Sequence, residues 1–209
     1  HLMSPPREPP RGPETTLSGV VERILWLDEE THFTIAELAP EAGEKVIILG
    51  NMTGLQCGET VDVSGHWERH PSHGPQLRVR TFSSRLPSSV HGIRKYLGSG
   101  LIKGIGKTYA DKIVARFGVR TFDIISNQSG RLREVDGIGP GRAKAIKAAW
   151  DDQKALREVM VFLQTYGVTN SLCIRIVKAY GQDAKKVLTT EPYRVCREVE
   201  GVGFKTADK

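Results

Sequence analysis

The sequence predicts an α+β protein of two domains, a small five-stranded antiparallel β-barrel followed by an all-α domain of tandem helical hairpins. Three observations predict this fold. Apolar residues recur with a period of two over residues 17–87 and with a period of about 3.6 from residue 88 onward. Glycine-aliphatic-glycine segments occur three times in the second half. The second half also repeats itself at a spacing of about 63 residues, as duplicated units do.

Residues 1–16 are rich in proline and poor in apolar side chains, which predicts a disordered tail. The first three residues, His1-Leu2-Met3, resemble a cloning remnant, and no export signal is expected. The widely spaced Cys57, Cys173 and Cys196 favour free thiols in a reducing compartment, so we expect a cytoplasmic protein.

Residues 17–87 contain five short segments that predict strands, at 20–27, 33–36, 46–49, 61–64 and 77–80. Five antiparallel strands in so short a domain suggest a closed barrel of the OB type, with an SH3-like barrel as the alternative. Arg78 and Arg80 would share one face of the last strand and are candidate DNA contacts, with Trp26 and Trp67 as candidate stacking residues. The domain has 6 basic and 10 acidic side chains, a net charge of −4. That charge disfavours nucleic-acid contact, so we expect the tryptophans to lie in the core and the arginines on a face exposed to solvent. A role of the barrel in docking another protein is a further alternative.

The residues offer no metal or catalytic site. His66, His70 and His73 have a spacing that could hold zinc on a helix, but Pro71 and Gly74 predict a surface loop there. The segment Gly106-Lys107-Thr108 resembles the end of a phosphate-binding P-loop, but the glycine that should stand five positions before Gly106 is a leucine. We therefore predict no enzyme activity and no cofactor for these 209 residues.

Residues 88–209 predict the helical domain. One short helix is indicated around residues 90–97, and a second ends at residue 117, where Gly118 can serve as a C-cap. A shift of 63 residues aligns Gly104 with Gly167 and Gly118 with Gly181. Each copy would hold two helix-hairpin-helix motifs, which gives four in all.

Three hairpins share one pattern: Gly104-Ile105-Gly106, Gly137-Ile138-Gly139 and Gly201-Val202-Gly203. Glycine permits positive φ and the close approach of a phosphate, while the aliphatic residue fixes the helix pair. The following helix then presents free amides and the positive end of its dipole to the phosphate. The remaining hairpin, Gly167-Val168-Thr169-Asn170, has lost its second glycine, so we expect it to bind phosphate weakly or not at all.

Basic side chains beside these hairpins complete the predicted DNA-binding set. The domain carries 22 basic and 12 acidic side chains, a net charge of +10, which points to a polyanion. The predicted set is Lys103, Gly104, Ile105, Gly106, Lys107, Gly137, Ile138, Gly139, Gly141, Arg142, Lys144, Gly201, Val202, Gly203 and Lys205. Contacts of this kind position a protein on the DNA backbone and carry no sequence information. A single such glycine motif is often only a tight turn between helices, but three in register favour DNA binding.

The segment from Gly92 to Gly106, GIRKYLGSGLIKGIG, resembles the N-terminal region of the long-form RecD-like DNA helicases of superfamily 1B. The barrel segments Gly19-Val20-Val21 and Phe33-Thr34-Ile35 resemble their OB-type domain. The resemblance implies a bacterial parent enzyme that unwinds DNA 5′ to 3′ with ATP and Mg²⁺ in replication or repair, with its motor after residue 209. It also implies single-stranded or forked DNA as partner, with the motor domains or a single-strand-binding protein as further candidates.

Two other functions fit the same residues. A protein-interaction module could use the acidic barrel and the hairpins to dock partner proteins or the motor. Hairpin arrays also occur in the DNA-binding regions of repair nucleases and ligases.

Overall fold

The computed structural model describes residues 13–164 and 170–199. Its first half is a barrel of five strands, whose bounds are β1 (Glu14–Leu27), β2 (Phe33–Pro40), β3 (Val46–Asn51), β4 (Thr60–His70) and β5 (Gly74–Arg85). The strands close in the order β1-β2-β3-β5-β4, with β1 paired to both β2 and β4. The first strand is long enough to serve both neighbours, which is how five strands form a closed barrel.

The barrel is not wholly antiparallel, because β3 pairs with β5 in parallel while the other four pairs are antiparallel. A closed ring of five strands cannot alternate direction all the way round, so one parallel pair is unavoidable. The barrel also begins before residue 17. Glu14, Thr15 and Thr16, which we assigned to the tail, pair with β4 opposite residues 66, 65 and 64.

The expectation that Trp26 and Trp67 belong to the barrel core is wrong, since their exposed fractions are 58% and 42%. The core is aliphatic, with Val21, Ala36, Leu38, Ile48, Met52, Val61, Val63 and Leu77 all fully buried. The pairing of β1 with β2 shifts register between Ile24 and Trp26, which breaks the alternation of inward and outward side chains. Leu25, Trp26 and Leu27 are consequently all exposed. Trp67 lies on β4 beyond the last buried position of that strand.

The helical half runs through seven α-helices within the described residues: α1 (Val90–Gly98), α2 (Lys107–Phe117), α3 (Thr121–Asn127), α4 (Pro140–Gln164), α5 (Asn170–Tyr180), α6 (Ala184–Thr190) and α7 (Pro192–Glu198). A 3-10 helix spans Ser129–Glu134. Gly118, with a φ of +57°, caps α2 as expected. Helices α2 and α5 differ by 63 residues at both ends, and so do α3 and α6.

The 25-residue helix α4 connects two separate cores. Its N-terminal part places Ala143, Ile146 and Trp150 in the core formed with α1, α2 and α3, and its C-terminal part places Val159 and Met160 in the core formed with α5, α6 and α7. The Trp150 ring stacks on Phe122 at 4.8 Å between centroids. Its indole N–H donates to Ser126 Oγ at 2.8 Å, so the buried nitrogen has a partner.

Two buried carboxylates and one close backbone approach join the barrel to the helices. The Glu22 carboxylate on β1 contacts His91 at 2.8 Å and Lys95 at 3.0 Å, both on α1. The buried Glu59 pairs with Arg157 of α4. Gly58 packs directly on α1, because a Cβ at that position would lie 2.4 Å from the carbonyl oxygen of Gly92.

Cys57 lies beside these contacts as a free thiol. Its Sγ–H donates to the carbonyl oxygen of Glu22 at 3.2 Å. Burial raises the pKa of this thiol, so it is a poor nucleophile.

Candidate nucleic-acid interface

The first hairpin joins α1 to α2 and ends in an uncapped helix N-terminus. Gly104 has a φ of +95°, which reverses the chain, and Ile105 is buried in the core below the turn. Gly106 is the N-cap residue of α2 and has no side chain to satisfy the first amides. The first intrahelical bond runs from the Ala110 amide to the Gly106 carbonyl at 2.9 Å. The amides of residues 106–109 therefore have no acceptor within the helix.

The second hairpin, before α4, repeats this geometry 33 residues later. Gly137 has a φ of +87° and Ile138 is buried. The first helical bond runs from the Ala143 amide to the Gly139 carbonyl at 3.0 Å. Since Pro140 lacks an N–H, the second hairpin offers three amides, those of residues 139, 141 and 142.

The side chains of Ile105 and Ile138 are not part of this exposed surface. Their side chains are only 2% and 4% exposed. Their amides donate to the carbonyl oxygens of Ile102 and Val135, each at 3.1 Å, so these N–H groups are already used within the turns. Both residues instead anchor the hairpins to the core, and the free amides begin one residue later.

The two hairpins lie side by side. Tyr109 of α2 donates its hydroxyl to the carbonyl oxygen of Gly137 at 3.3 Å, and the Arg142 guanidinium lies 4.6 Å from the centre of the Tyr109 ring. Gly104 of the first hairpin also lies close to α4, since a Cβ at that position would be 3.7 Å from the Ile146 side chain. Tyr109 was not among the residues predicted from sequence. The one sequence feature that could have identified Tyr109 as part of this surface is its position in the first helical turn after a hairpin glycine.

Open space surrounds the glycines at the two helix starts. A Cβ built on Gly106, Gly139 or Gly141 would meet no atom within 4 Å, and all three residues are exposed. An oxyanion can therefore approach both amide clusters without displacing protein atoms.

The predicted cations around the hairpins have no carboxylate partner among the described residues, whereas the two predicted arginines on β5 are paired. Lys103, Lys107, Arg142 and Lys144 are exposed. None of these four forms an ion pair with any residue in the part of the chain that the structure describes. On β5, by contrast, Arg78 binds Glu68 with N–O distances of 2.8 and 3.0 Å, and Arg80 pairs with Glu14.

The second hairpin is less basic than the sequence pattern suggested. Asp136, an exposed carboxylate, occupies the position that corresponds to Lys103 of the first hairpin. The first hairpin combines four amides with two lysines. The second adds Arg142 and Lys144 to three amides.

Several predicted residues lie outside the described part of the chain. These are Gly201, Val202, Gly203 and Lys205 of the last hairpin and the turn at residues 167–169. The three histidines of the zinc-like spacing lie along the β4–β5 hairpin, with His66 and His70 within β4 and His73 in the turn. His70 Nδ1 accepts the amides of Ser72 and His73 at 3.0 and 3.2 Å.

The described residues offer neither a metal site nor a membrane-spanning helix. They hold no cluster of three histidine, cysteine or acidic side chains able to bind a metal ion. Nor is any helix among them both long and apolar enough to span a bilayer.

Comparisons with known families match nearly the whole chain in three consecutive parts. Residues 14–87 match the OB-fold domain of the ATP-dependent DNA helicase YrrC, and residues 99–152 match a SAM-like helix-hairpin-helix tandem. Residues 152–209 match the helix-hairpin-helix domain of the ATP-dependent RecD2 DNA helicase. The first match begins where β1 begins, and the second and third meet at residue 152 within α4.

One curated relative is the ATP-dependent RecD2 DNA helicase of Deinococcus radiodurans, which is 31% identical over 200 residues. The match covers 92% of this chain but only 28% of that protein. Among solved structures, the S. pombe Stn1–Ten1 complex contains a chain that is 12% identical with a TM-score of 0.29. That match covers 34% of this chain and 57% of the other, and a likeness this low carries no weight.

Proposed function

Since this chain corresponds in sequence to the N-terminal region of a RecD-like DNA helicase, we propose that it holds DNA by its sugar-phosphate backbone and does not read base sequence. One observation carries the proposal. Two adjacent helix starts present seven amides without helical acceptors, beside open space and beside four cations that have no carboxylate partner within residues 13–164 and 170–199.

The chemistry of this arrangement suits phosphate. A phosphate oxygen can accept hydrogen bonds from two or three amides at one helix start, and the helix dipole adds favourable charge. Lys103 and Lys107 at the first hairpin, and Arg142 and Lys144 at the second, would supply the salt-sensitive part of the affinity. No base edge is needed for any of these contacts, so affinity should depend little on sequence.

In the whole helicase, this region would act as an accessory that keeps DNA close to the motor. The motor would use ATP and Mg²⁺ to unwind DNA 5′ to 3′ in replication or repair, and the hairpins would add affinity without chemistry of their own. Single-stranded or forked DNA, the motor domains and a single-strand-binding protein are the partners that this role implies.

Aspartate at the two N-cap glycines tests the proposal. Gly106 has φ −97° and ψ −173°, which any residue can adopt, and neither Gly106 nor Gly139 has a neighbour in the way of a Cβ. An N-cap aspartate accepts hydrogen bonds from the amides of the first turn. It should therefore stabilise α2 and α4 while it occupies their amides and repels phosphate.

Fluorescence anisotropy with fluorescein-labelled DNA of random sequence is the measurement. Each lost charge-assisted contact is worth about 1.5–3 kcal/mol, so we expect Gly106→Asp with Gly139→Asp to weaken binding by at least about tenfold. The slope of log affinity against log salt should also become shallower. Gly130→Asp is the matched control, because Gly130 is an exposed glycine of the same domain with equal room for a Cβ.

The melting temperature of the double variant should stay the same or rise, which separates lost binding from lost folding. Unchanged affinity in a folded double variant, or an equal loss in the Gly130→Asp control, would place the DNA surface elsewhere.

A further inference from the structure

A groove separates the first pair of hairpins from the helices that follow. Its volume is about 440 Å³, and it lies between the turn at residues 101–103, the middle of α4 and the end of α5. Leu101, Ala149, Leu156 and Val177 give it apolar walls. It is thus a largely apolar groove on the more basic half of the molecule.

The edges of the groove are basic. Lys103 lines it on one side and Lys178 of α5 on the other, and both side chains are exposed. Neither lysine forms an ion pair with a residue within 13–164 or 170–199. Of the described residues that line the groove, only Asp152 is acidic. Apolar walls between two available ammonium groups fit a ligand with flat apolar parts and a negatively charged backbone.

The groove is continuous with the first hairpin. Lys103 directly precedes Gly104, whose turn leads to the free amides at the start of α2. A DNA strand whose phosphate is held by those amides would have its neighbouring nucleotides at the mouth of the groove.

We propose that this groove binds unpaired nucleotides of the DNA strand that the first hairpin holds, with bases against the apolar walls and phosphates at Lys103 and Lys178. The proposal rests on the proposed function. Every base has an apolar face that can contact the aliphatic walls, so this site also needs no sequence preference. Bases that remain paired in a duplex are stacked and cannot enter a slot between two helices. The chain should therefore prefer DNA with an unpaired extension over a blunt duplex.

Two single-residue variants with opposite expected effects on affinity test the groove. Lys178→Glu reverses a charge at its edge, and Asp152→Asn removes its one acidic group without a change of shape. Both residues are exposed, so neither change should affect folding. Lys186→Glu, at an exposed lysine of α6 that does not line the groove, is the matched control.

Anisotropy titrations of the whole chain would compare one blunt duplex with the same duplex carrying a short single-stranded extension. We expect the wild type to bind the extended DNA more tightly. Lys178→Glu should weaken that binding by about fivefold, the upper range for one exposed charge contact. Asp152→Asn should strengthen it, and both variants should bind the blunt duplex within about twofold of wild type. A photoreactive thymine analogue in the extension should crosslink to groove residues.

Equal wild-type affinity for the two DNAs would overturn the proposal, and so would an equal effect of Lys178→Glu on both. Displacement of the extension by a short acidic, apolar peptide, without loss of duplex binding, would also overturn it and assign the groove to a protein. The Gly106→Asp and Gly139→Asp variant keeps the two hypotheses separate. If the hairpin amides do not bind DNA, that variant will bind blunt duplex as tightly as wild type. If only the groove proposal is wrong, that variant will still bind blunt duplex weakly.

Discussion

Replacement of Arg157 by alanine should strongly destabilise the protein, because it would leave a buried carboxylate without a cation. The Glu59 side chain is fully buried, and that of Arg157 is only 17% exposed. Glu59 Oε1 accepts the amide of Gln56 at 2.6 Å, while Oε2 is in ionic contact with Arg157 and has no other partner among the described residues. Burial also lowers the pKa of Arg157, as expected for a guanidinium removed from water.

The magnitude follows from this burial. Loss of one member of a buried ion pair typically costs about 3–5 kcal/mol, since the remaining charge stays desolvated. Arg157 also donates to the carbonyl oxygen of Ser84 on β5 at 3.3 Å, a contact that the variant loses as well. We therefore expect Arg157→Ala to lower the free energy of unfolding by at least about 3 kcal/mol. Substituting both partners, as Glu59→Gln with Arg157→Met, should cost much less than the sum of the single changes.

Urea unfolding followed by tryptophan fluorescence would measure these differences. Arg78→Ala provides the exposed control, because the Arg78–Glu68 pair has side chains 51% and 35% exposed and should contribute no more than about 1 kcal/mol. If Arg157→Ala costs no more than that control, or if the two single changes are simply additive, the barrel is not joined to α4 by a buried ion pair.

Two further predictions concern the barrel–helix contact and the second hairpin. Burial tends to raise the pKa of Glu22, but hydrogen bonds from His91 and Lys95 outweigh it and hold the pKa below the ordinary 4.5. Its stabilising effect should therefore be complete above that value and be lost as the pH falls through the lower folded pKa. As the pH falls below about 5, the melting temperature of Glu22→Gln should fall less than that of wild type. Parallel curves of melting temperature against pH for the two proteins would contradict this. Ile138→Ala should lower the free energy of unfolding by about 2–5 kcal/mol. It should also weaken DNA binding, because Ile138 anchors the second hairpin to the core. Full affinity in the folded variant would show that this anchor is not needed.

The parts of the fold that depend on local sequence were predictable. The alternation of apolar residues indicated five strands, and Gly104, Gly118 and Gly137 stand where the chain adopts positive φ. The glycine-aliphatic-glycine pattern also located both hairpins of the first unit. In each case the relevant interactions join residues close together in the chain, so their pattern is visible in a short window.

The parts that depend on distant residues were not predictable. The parallel β3–β5 pair follows from closure of the ring, and the exposure of Trp26 follows from a register shift against β2. The ion pair of Arg80 with Glu14 joins residues 66 positions apart. The sequence also did not show that the Ile105 amide already donates a hydrogen bond to Ile102. The exact geometry of that turn decides which N–H groups are left free.

Residue-resolved amide hydrogen exchange, measured by NMR with and without DNA, tests the central claim most directly. Without DNA, the amides of residues 106–109 and of 139, 141 and 142 should exchange quickly, while those of Ile105 and Ile138 should already be protected. Bound DNA should slow exchange at the first group and leave the two isoleucines little changed. Protection that appears on the barrel strands, with the helix starts still exchanging freely, would contradict the account.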